Sequence, residues 1–245
     1  MNDYDFWFER GHAAIVTGAS KGFGLAVARL LAEHGIALTI TARRADELAA
    51  AAEQLRRLGP VEAIPGDVRD LAHVHKLVDR TRARFGRIDL LVNNASTIGR
   101  SPLPPLDQLS PAVFHEIFDT NVFAPLHLIQ HALPLIIQSG GTIVNISSDA
   151  AVNAYPTWGG YGASKAALEH MSRTLAAELD GFGISVIVAD PGNMNTELHR
   201  LAEPGEDLAE LPDAEAVAPA LLRLLAGPRE PFVRAKLQSP APVLS

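Results

Sequence analysis

Two patterns of hydrophobic and polar positions alternate along this chain. Short runs with no polar interruption, such as Ala13-Ala14-Ile15-Val16 and Leu90-Leu91-Val92, are followed by longer stretches whose apolar residues recur at helical spacing. The first pattern predicts strands buried on both faces, and the second predicts amphipathic helices packed over them. Strands are predicted at His12–Thr17, Ala37–Thr41, around 62–64, and at Ile88–Val92, Gly141–Ile146 and Ile184–Val188, with a further one at Phe232–Leu237. Helices are predicted after Gly24 through Ala32 and over Ala45–Leu58, Leu71–Phe85, Pro111–Gln138, Gly160–Gly181 and Ala214–Leu225. Strand and helix taking turns implies an α/β fold, a doubly wound parallel sheet between two layers of helices. No repeat or linker divides residues 1–245, so a single domain is expected, with a substrate lid over 194–212 and a loose proline-rich tail at 239–245.

Composition narrows the partners. At 47% hydrophobic residues the chain can bury a large core, and a net charge of -7 disfavours nucleic acid or an anionic membrane as partner. Small molecules are the expected ligands. There is no cysteine, which excludes disulfides and thiolate metal sites and fits a reducing interior. The first ten residues carry acids where a signal peptide carries bases, and no apolar run approaches the ~20 residues of a membrane span. A cytoplasmic location is expected.

The candidate chemistry sits where predicted strands end. The first strand runs into Gly18-Ala19-Ser20-Lys21-Gly22-Phe23-Gly24 and then a helix, an arrangement that lets backbone N–H groups approach a pyrophosphate. At the end of the second strand an acid would suit the ribose of NAD, whereas the chain has Ala42 and Arg43, which with Lys21 suit a 2′-phosphate. Asp67 and Val68 follow the third strand, where Asp67 either faces an adenine or caps the next helix. Asn93-Asn94-Ala95-Ser96 end the fourth. Pro125, four residues after Asn121, cannot donate to the Asn121 carbonyl, which frees that oxygen to hold a water. Ser148 leaves the fifth strand toward the ligand side of the sheet, and Tyr161 and Lys165 share one helix face, where the ammonium would lower the phenol's pKa. His127 and His131 have no evident third ligand and no G-x-S-x-G elbow occurs, so neither a metal site nor a serine hydrolase is expected.

Taken together, TGASKGFG at 17–24, NNAS at 93–96, Asn121, Ser148, YGASK at 161–165 and PGNMNT at 191–196 resemble the short-chain dehydrogenase/reductase family in its single-domain, Rossmann-like form, in order and spacing over about 13–196. The resemblance implies an oxidoreductase that interconverts a carbonyl compound and its alcohol by hydride transfer. It assigns the substrate hydrogen bond to Ser148, proton exchange to Tyr161, the nicotinamide ribose and the phenol's acidity to Lys165, and a water-holding carbonyl to Asn121. The coenzyme contacts implied are Gly18, Ser20, Lys21, Gly22, Phe23 and Gly24 at the pyrophosphate turn, Arg43, Asp67, Val68, Asn94 and Ala95 on the adenosine side, and Tyr161, Lys165, Pro191, Gly192, Met194 and Thr196 at the nicotinamide. Lys21 and Arg43 are similar to the pattern of members that prefer NADP(H), with NAD(H) as the alternative.

The chain departs from the family at two places. Ser96 stands where glycine is usual, and the C-terminus lacks the glycine-rich ending of many tetramers, which leaves a homodimer through 111–138 and 161–181 or a homotetramer open. Competing readings are an NAD-linked alcohol or diol dehydrogenase of the same fold and a non-catalytic NADP(H)-binding sensor. The expected substrate pocket comprises Thr97, Leu103, Ala150, Tyr155, Trp158, Asn193 and 198–211, an apolar lining suited to an uncharged ketone or aldehyde.

Overall fold

Seven strands pair in parallel in the order β3-β2-β1-β4-β5-β6-β7, so the chain starts in the middle of the sheet, winds outward to one edge and then returns to build the other. The computed structural model describes residues 11–238, so the aromatic leader and the tail expected to be loose lie outside the described residues. The strands are β1 Ala13–Thr17, β2 Ala37–Thr41, β3 Val61–Ala63, β4 Leu90–Asn93, β5 Thr142–Ile146, β6 Ser185–Asp190 and β7 Phe232–Lys236. The helices are α1 Gly22–Glu33, α2 Ala45–Arg56, α3 Leu71–Phe85, α4 Pro111–Phe118, α5 Ala124–Ser139, α6 Gly159–Glu178, α7 Glu197–Ala202 and α8 Ala214–Ala226. Every residue of β1, β4, β5 and β6 is buried, because helices cover both faces of a parallel sheet. That accounts for the uninterrupted apolar runs.

The two faces carry separate cores. On one, Val27 and Leu31 of α1 and Leu221 and Leu225 of α8 pack over Val16, Ile40 and Val92. On the other, Leu77 of α3 and Leu128, Ala132 and Ile136 of α5 pack over Ile15, Leu91 and Ile143. Alternate residues of one strand thus serve opposite cores. Two buried amides inside the sheet are paired: Asn93 Nδ2 donates to Asn145 Oδ1 at 2.8 Å, and Asn145 Nδ2 donates to Ser172 Oγ on α6 at 2.8 Å. This couple ties the ends of β4 and β5 to the helix that carries Tyr161.

The expected helix over 111–138 is interrupted. Residues Asp119–Phe123 form one π-helical turn between α4 and α5, with Ala124 N–H bonded to Asp119 O. Pro125 lies in the first turn of α5, so the ladder skips a donor at the place where the sequence removes one. Pro134 also lies inside α5, a second break in donors that the helical pattern concealed. By length and composition 111–139 could reach across a bilayer, contrary to the sequence expectation, yet half of its most apolar window is buried against the rest of the fold.

Candidate functional site

The carboxyl ends of the strands open onto one cleft of about 560 Å³, lined by the loops after β1 to β6. This is where ligands bind in open parallel sheets, at the point where strand order reverses. Of the residues singled out in the sequence, Gly18, Ser20, Lys21, Gly22, Phe23, Arg43, Asp67, Val68, Asn94, Ala95, Ser148, Tyr161, Lys165, Pro191, Gly192, Met194 and Thr196 line it. Gly24 and Asn121 stand behind the lining and shape it from there.

The glycine turn is built by close backbone approach. Gly18 has φ +65°, and a Cβ on it would come within 2.9 Å of the Asn94 amide. A Cβ on Gly24 would collide with the same amide and with the Gly18 carbonyl. Asn94 Nδ2 donates to Thr17 O at 2.9 Å and to Gly18 O at 3.2 Å, while Thr17 Oγ1 accepts from the main-chain N–H of Asn94 and of Ala95 at 3.0 Å each. The loops after β1 and β4 are therefore clamped into one floor. The side chain of Lys21, the N-cap of α1, makes no capping hydrogen bond. The first amides of α1 thus suit an anionic group in the cleft, and the missing side chains at Gly18 and Gly22 leave room for one.

At the basic end the cations are engaged by carboxylates. Lys21 Nζ lies 2.5 Å from Glu197 Oε2 and 3.4 Å from Glu47 Oε2, and the Glu197 hydrogen bond raises its pKa against the opposing effect of burial. Arg44 reaches Glu47 at 3.1 Å and Asp46 at 3.3 Å, whereas Arg43 has no ion pair among the described residues. Neither Glu47 nor Glu197 was singled out in the sequence; the structure places them in the first turns of α2 and α7. Asp67 is gripped by Arg69, whose Nη2 lies 2.7 Å from Oδ2, and this bond holds the carboxyl below its usual range. The cap of α3 is Asp70, which accepts from Ala72 N–H at 2.9 Å, so Asp67 is released from capping and faces the cleft.

At the other end Ser148, Tyr161 and Lys165 converge. Lys165 Nζ donates to Ile146 O at 2.8 Å and lies 5.4 Å from the Tyr161 ring centroid. Burial pulls the ammonium down to about 8, opposed by the charges of Glu169 and Asp190. The phenol departs from the sequence expectation. Burial pushes Tyr161 well above its ordinary value, while hydrogen bonds from Ser96 and Ser148 pull it down and the charges of Asp190 and Asp149 raise it. In the coenzyme-free chain desolvation therefore outweighs any acidification by Lys165. Ser148 Oγ donates weakly to Asp149 Oδ1 at 3.3 Å and accepts from Ala150 N–H at 3.2 Å.

Asn121 acts here through its side chain. Its Oδ1 accepts from Thr97 N–H at 2.9 Å and from Ser96 Oγ at 3.1 Å, and its Nδ2 donates to Thr97 O at 2.9 Å and to Ser164 Oγ at 3.0 Å. Ser164 Oγ in turn donates to Tyr161 O at 2.6 Å. The π turn is thereby pinned to both the fourth-strand loop and α6.

Beneath this end lies a charged pair that no motif announced. Arg234 Nε donates to Glu169 Oε2 at 2.8 Å, and Ser147 Oγ donates to Glu169 Oε1 at 2.6 Å, with both charged residues buried. Asp190 lines the cleft beside them, its carboxyl raised by burial, and accepts from Gly192 N–H at 2.9 Å. Around Tyr161 the buried Ile98, Ala150 and Ala202, with Leu103, Trp158 and Leu198, form an apolar collar. Ile98 was not foreseen, and Tyr155, foreseen as pocket lining, is 43% exposed and bonded to Asp149 Oδ2 at 2.6 Å. On α7 and just beyond it, His199, Glu203 and Glu206 bring their ligand atoms within 4.8 Å of one another, a grouping the sequence spacing did not reveal.

A family model described as short chain dehydrogenase matches residues 12–207. The chain is 35% identical over 197 residues to sulfoacetaldehyde reductase 2 of Chromohalobacter salexigens, covering 80% of this chain and 77% of the relative. It is 34% identical over 197 residues to a 3alpha-hydroxysteroid dehydrogenase of Mediterraneibacter gnavus, covering 79% and 78%. Among solved structures, a short chain dehydrogenase of Pseudomonas syringae superposes with a TM-score of 0.87 at 31% identity, covering 94% of this chain and 95% of the other. A short chain dehydrogenase of Escherichia coli complexed with NADPH superposes with a TM-score of 0.85 at 27% identity, covering 94% and 98%. With this sheet order, this glycine turn and these matches, the chain belongs to the short-chain dehydrogenase/reductase family, oxidoreductases that act on hydroxyl and carbonyl groups.

Proposed function

We propose that the chain is an NADP(H)-dependent reductase of uncharged ketones or aldehydes, able to run in reverse on the alcohols, with Tyr161 as general acid and base. The observation that carries this reading is the convergence of Ser148, Tyr161 and Lys165 at one end of a cleft whose other end holds Lys21, Arg43 and an uncapped helix N-terminus. NADPH, when bound, would supply the hydride that adds to the carbonyl carbon. The π electron pair then moves onto the carbonyl oxygen, Ser148 steadies the growing negative charge by donating a hydrogen bond, and Tyr161 gives that oxygen its proton. Lys165 stands beneath the phenol as a nearby cation that favours the resulting phenolate. The main-chain oxygen of Asn121, unreachable by Pro125, is the candidate water holder behind Lys165.

The preference for uncharged substrates rests on the apolar collar around Tyr161 and on Asp149 next to Ser148, since a carboxylate there repels anions. Of the two substrates named for the relatives, the steroid suits this collar better than the sulfonate. Residues 194–212 serve as the lid, with α7 as its ordered part. A homodimer through the outer faces of α4, α5 and α6 belongs to the same reading, supported by the exposure of Phe123, and light scattering measures it.

The test is a panel of benzaldehyde, an aryl ketone, a cyclic ketone, a 3-ketosteroid and sulfoacetaldehyde, each offered with NADPH and with NADH. Turnover of the uncharged carbonyls with a clear NADPH preference in kcat/KM is expected, and Tyr161→Phe should abolish it while leaving NADPH affinity within about twofold. An active Tyr161→Phe enzyme, a strong preference for sulfoacetaldehyde, or equal use of both coenzymes would each overturn the corresponding part. NADPH binding without turnover on any member of the panel would favour a sensor instead.

A further inference from the structure

We propose that Gln238, just past β7, is a positioning residue for the nicotinamide end of the coenzyme, its side-chain amide fixing the turn at 190–193 from behind the cleft. The inference rests on the nicotinamide lying against 191–196, the placement that belongs to the proposed function.

The ladder between β6 and β7 gives way at this turn. Asp190 pairs with Lys236, and the next rung is Leu237 N–H to Asp190 O at 2.8 Å. Pro191 brings no N–H to carry the ladder on, and Gly192 turns the chain aside at φ +70°. The side chain of Gln238 takes over. Its Nε2 donates to Pro191 O at 2.8 Å and to Asn193 O at 2.7 Å. Both partners are carbonyl oxygens, which only accept, so the amide is fixed with its nitrogen toward the turn.

Gly192 is part of the same fit. Its φ of +70° favours glycine, and a Cβ there would come within 2.9 Å of Gln238 Cδ and Nε2, so the amide lies directly against the turn. From within the turn, Asp190 Oδ1 accepts from Gly192 N–H at 2.9 Å. The turn is therefore held on two sides, by its own carboxylate and by the end of β7. Residues 190–196 all line the cleft, whereas Gln238 stands outside the lining. It acts on a ligand there through the turn.

Gln238 is exposed, so water competes for these bonds and they add little to global stability. Their effect is on order. A turn that is already fixed spares a ligand the cost of ordering it on binding. The adenosine end of the cleft, at Arg43 and Asp67, follows β2 and β3, and β2 lies five strand spacings from β7. At the usual spacing between neighbouring strands that is roughly 24 Å, so the effect of Gln238 is confined to the nicotinamide end.

The experiment compares two ligands by calorimetry on the full chain: NADPH, and 2′,5′-ADP, which carries the phosphorylated adenosine without the nicotinamide. Gln238→Ala should weaken NADPH binding about five- to tenfold and leave 2′,5′-ADP within about twofold of the wild type. Gln238→Glu keeps the shape but sets acceptors against acceptors, so it should bind NADPH no better than Gln238→Ala. Equal weakening of both ligands, or NADPH affinity unchanged in Gln238→Ala, refutes the positioning role. Wild-type NADPH affinity in Gln238→Glu refutes it as well, because shape rather than donation would then hold the turn. None of these results touches the assignment of Tyr161 or the coenzyme. A wild-type chain that binds neither NADPH nor 2′,5′-ADP would instead overturn the NADP(H) reading of the proposed function, and this inference with it.

Discussion

Lys21 and Glu197 meet at 2.5 Å across the mouth of the cleft, joining the N-terminal end of α1 to the first residue of α7. The lysine that the sequence offers to a 2′-phosphate is thus held by a carboxylate of the segment proposed as the lid. Binding of a phosphorylated coenzyme through Lys21 has to break this pair or draw it into a shared cluster. Both side chains are about half exposed, so the pair itself contributes at most about 1 kcal/mol. Glu197→Gln should accordingly tighten NADPH binding about two- to fivefold and steepen the dependence of Kd on salt. Fluorescence titration of NADPH at low and at moderate ionic strength checks both effects.

Arg43 and Arg44 are adjacent but stand in different electrostatic states. Arg44 is already matched by Asp46 and Glu47, while Arg43 faces the cleft without an ion pair among the described residues. A 2′-phosphate therefore gains more from Arg43. Arg43→Asp should erode the ratio of kcat/KM for NADPH over NADH by about tenfold or more, since a charge-assisted bond is replaced by repulsion. Arg44→Asp should change it by less than about threefold. Equal effects of the two substitutions would assign the phosphate to the cluster as a whole.

Much of this was legible in the sequence because both the fold and the cleft rest on local chemistry. Uninterrupted apolar runs located the strands of the sheet, and Pro125 correctly marked a break in the ladder behind Asn121, although only the structure shows that the break is a π turn. What stayed hidden depends on contacts between residues distant in sequence. Glu169 reads as an exposed helical acid until Arg234, 65 residues away, is folded onto it. The Tyr161 pKa was expected to fall because Lys165 is four residues away on the same face. Burial, which a spacing does not encode, pushes it the other way. Ser96 stood out as a departure from the family pattern, but its contact with Asn121 needed the fourth-strand loop and the π turn to be brought together.

The buried Arg234–Glu169 pair is the place where a single substitution should cost most without touching the cleft lining. Arg234 Nη2 is buried with no hydrogen-bond partner among the described residues, so the pair is not fully satisfied there even when intact. Removing the cation alone leaves Glu169 buried with only the Ser147 hydroxyl, a change of about 3–5 kcal/mol for a buried pair. Arg234→Met should therefore lower stability by that order in urea denaturation. Arg234→Met with Glu169→Leu removes both charges and should recover most of the loss. If the double variant is no better than the single one, the cost lies in packing rather than in the orphaned charge.

Lys165 supplies a pH dependence whose sign differs from that of an ordinary salt-bridged lysine. Its pKa falls from 10.5 to about 8 on folding because burial penalises the ammonium. Below about pH 8 the group is protonated in both states, and the folded chain bears the full penalty. Between about 8 and 10.5 the folded state binds fewer protons than the unfolded one, so stability rises with pH as the penalty is relieved. Lys165→Met removes the titration together with the hydrogen bond to Ile146 O, and the second loss is a constant offset at every pH. The diagnostic quantity is therefore the change in the stability gap between variant and wild type, not the gap itself. From pH 7 to pH 10 the wild type should gain on Lys165→Met by about 2 kcal/mol in coenzyme-free urea denaturation. A gap independent of pH would mean that Lys165 keeps its ordinary pKa in the fold, with Glu169 and Asp190 compensating its burial in full.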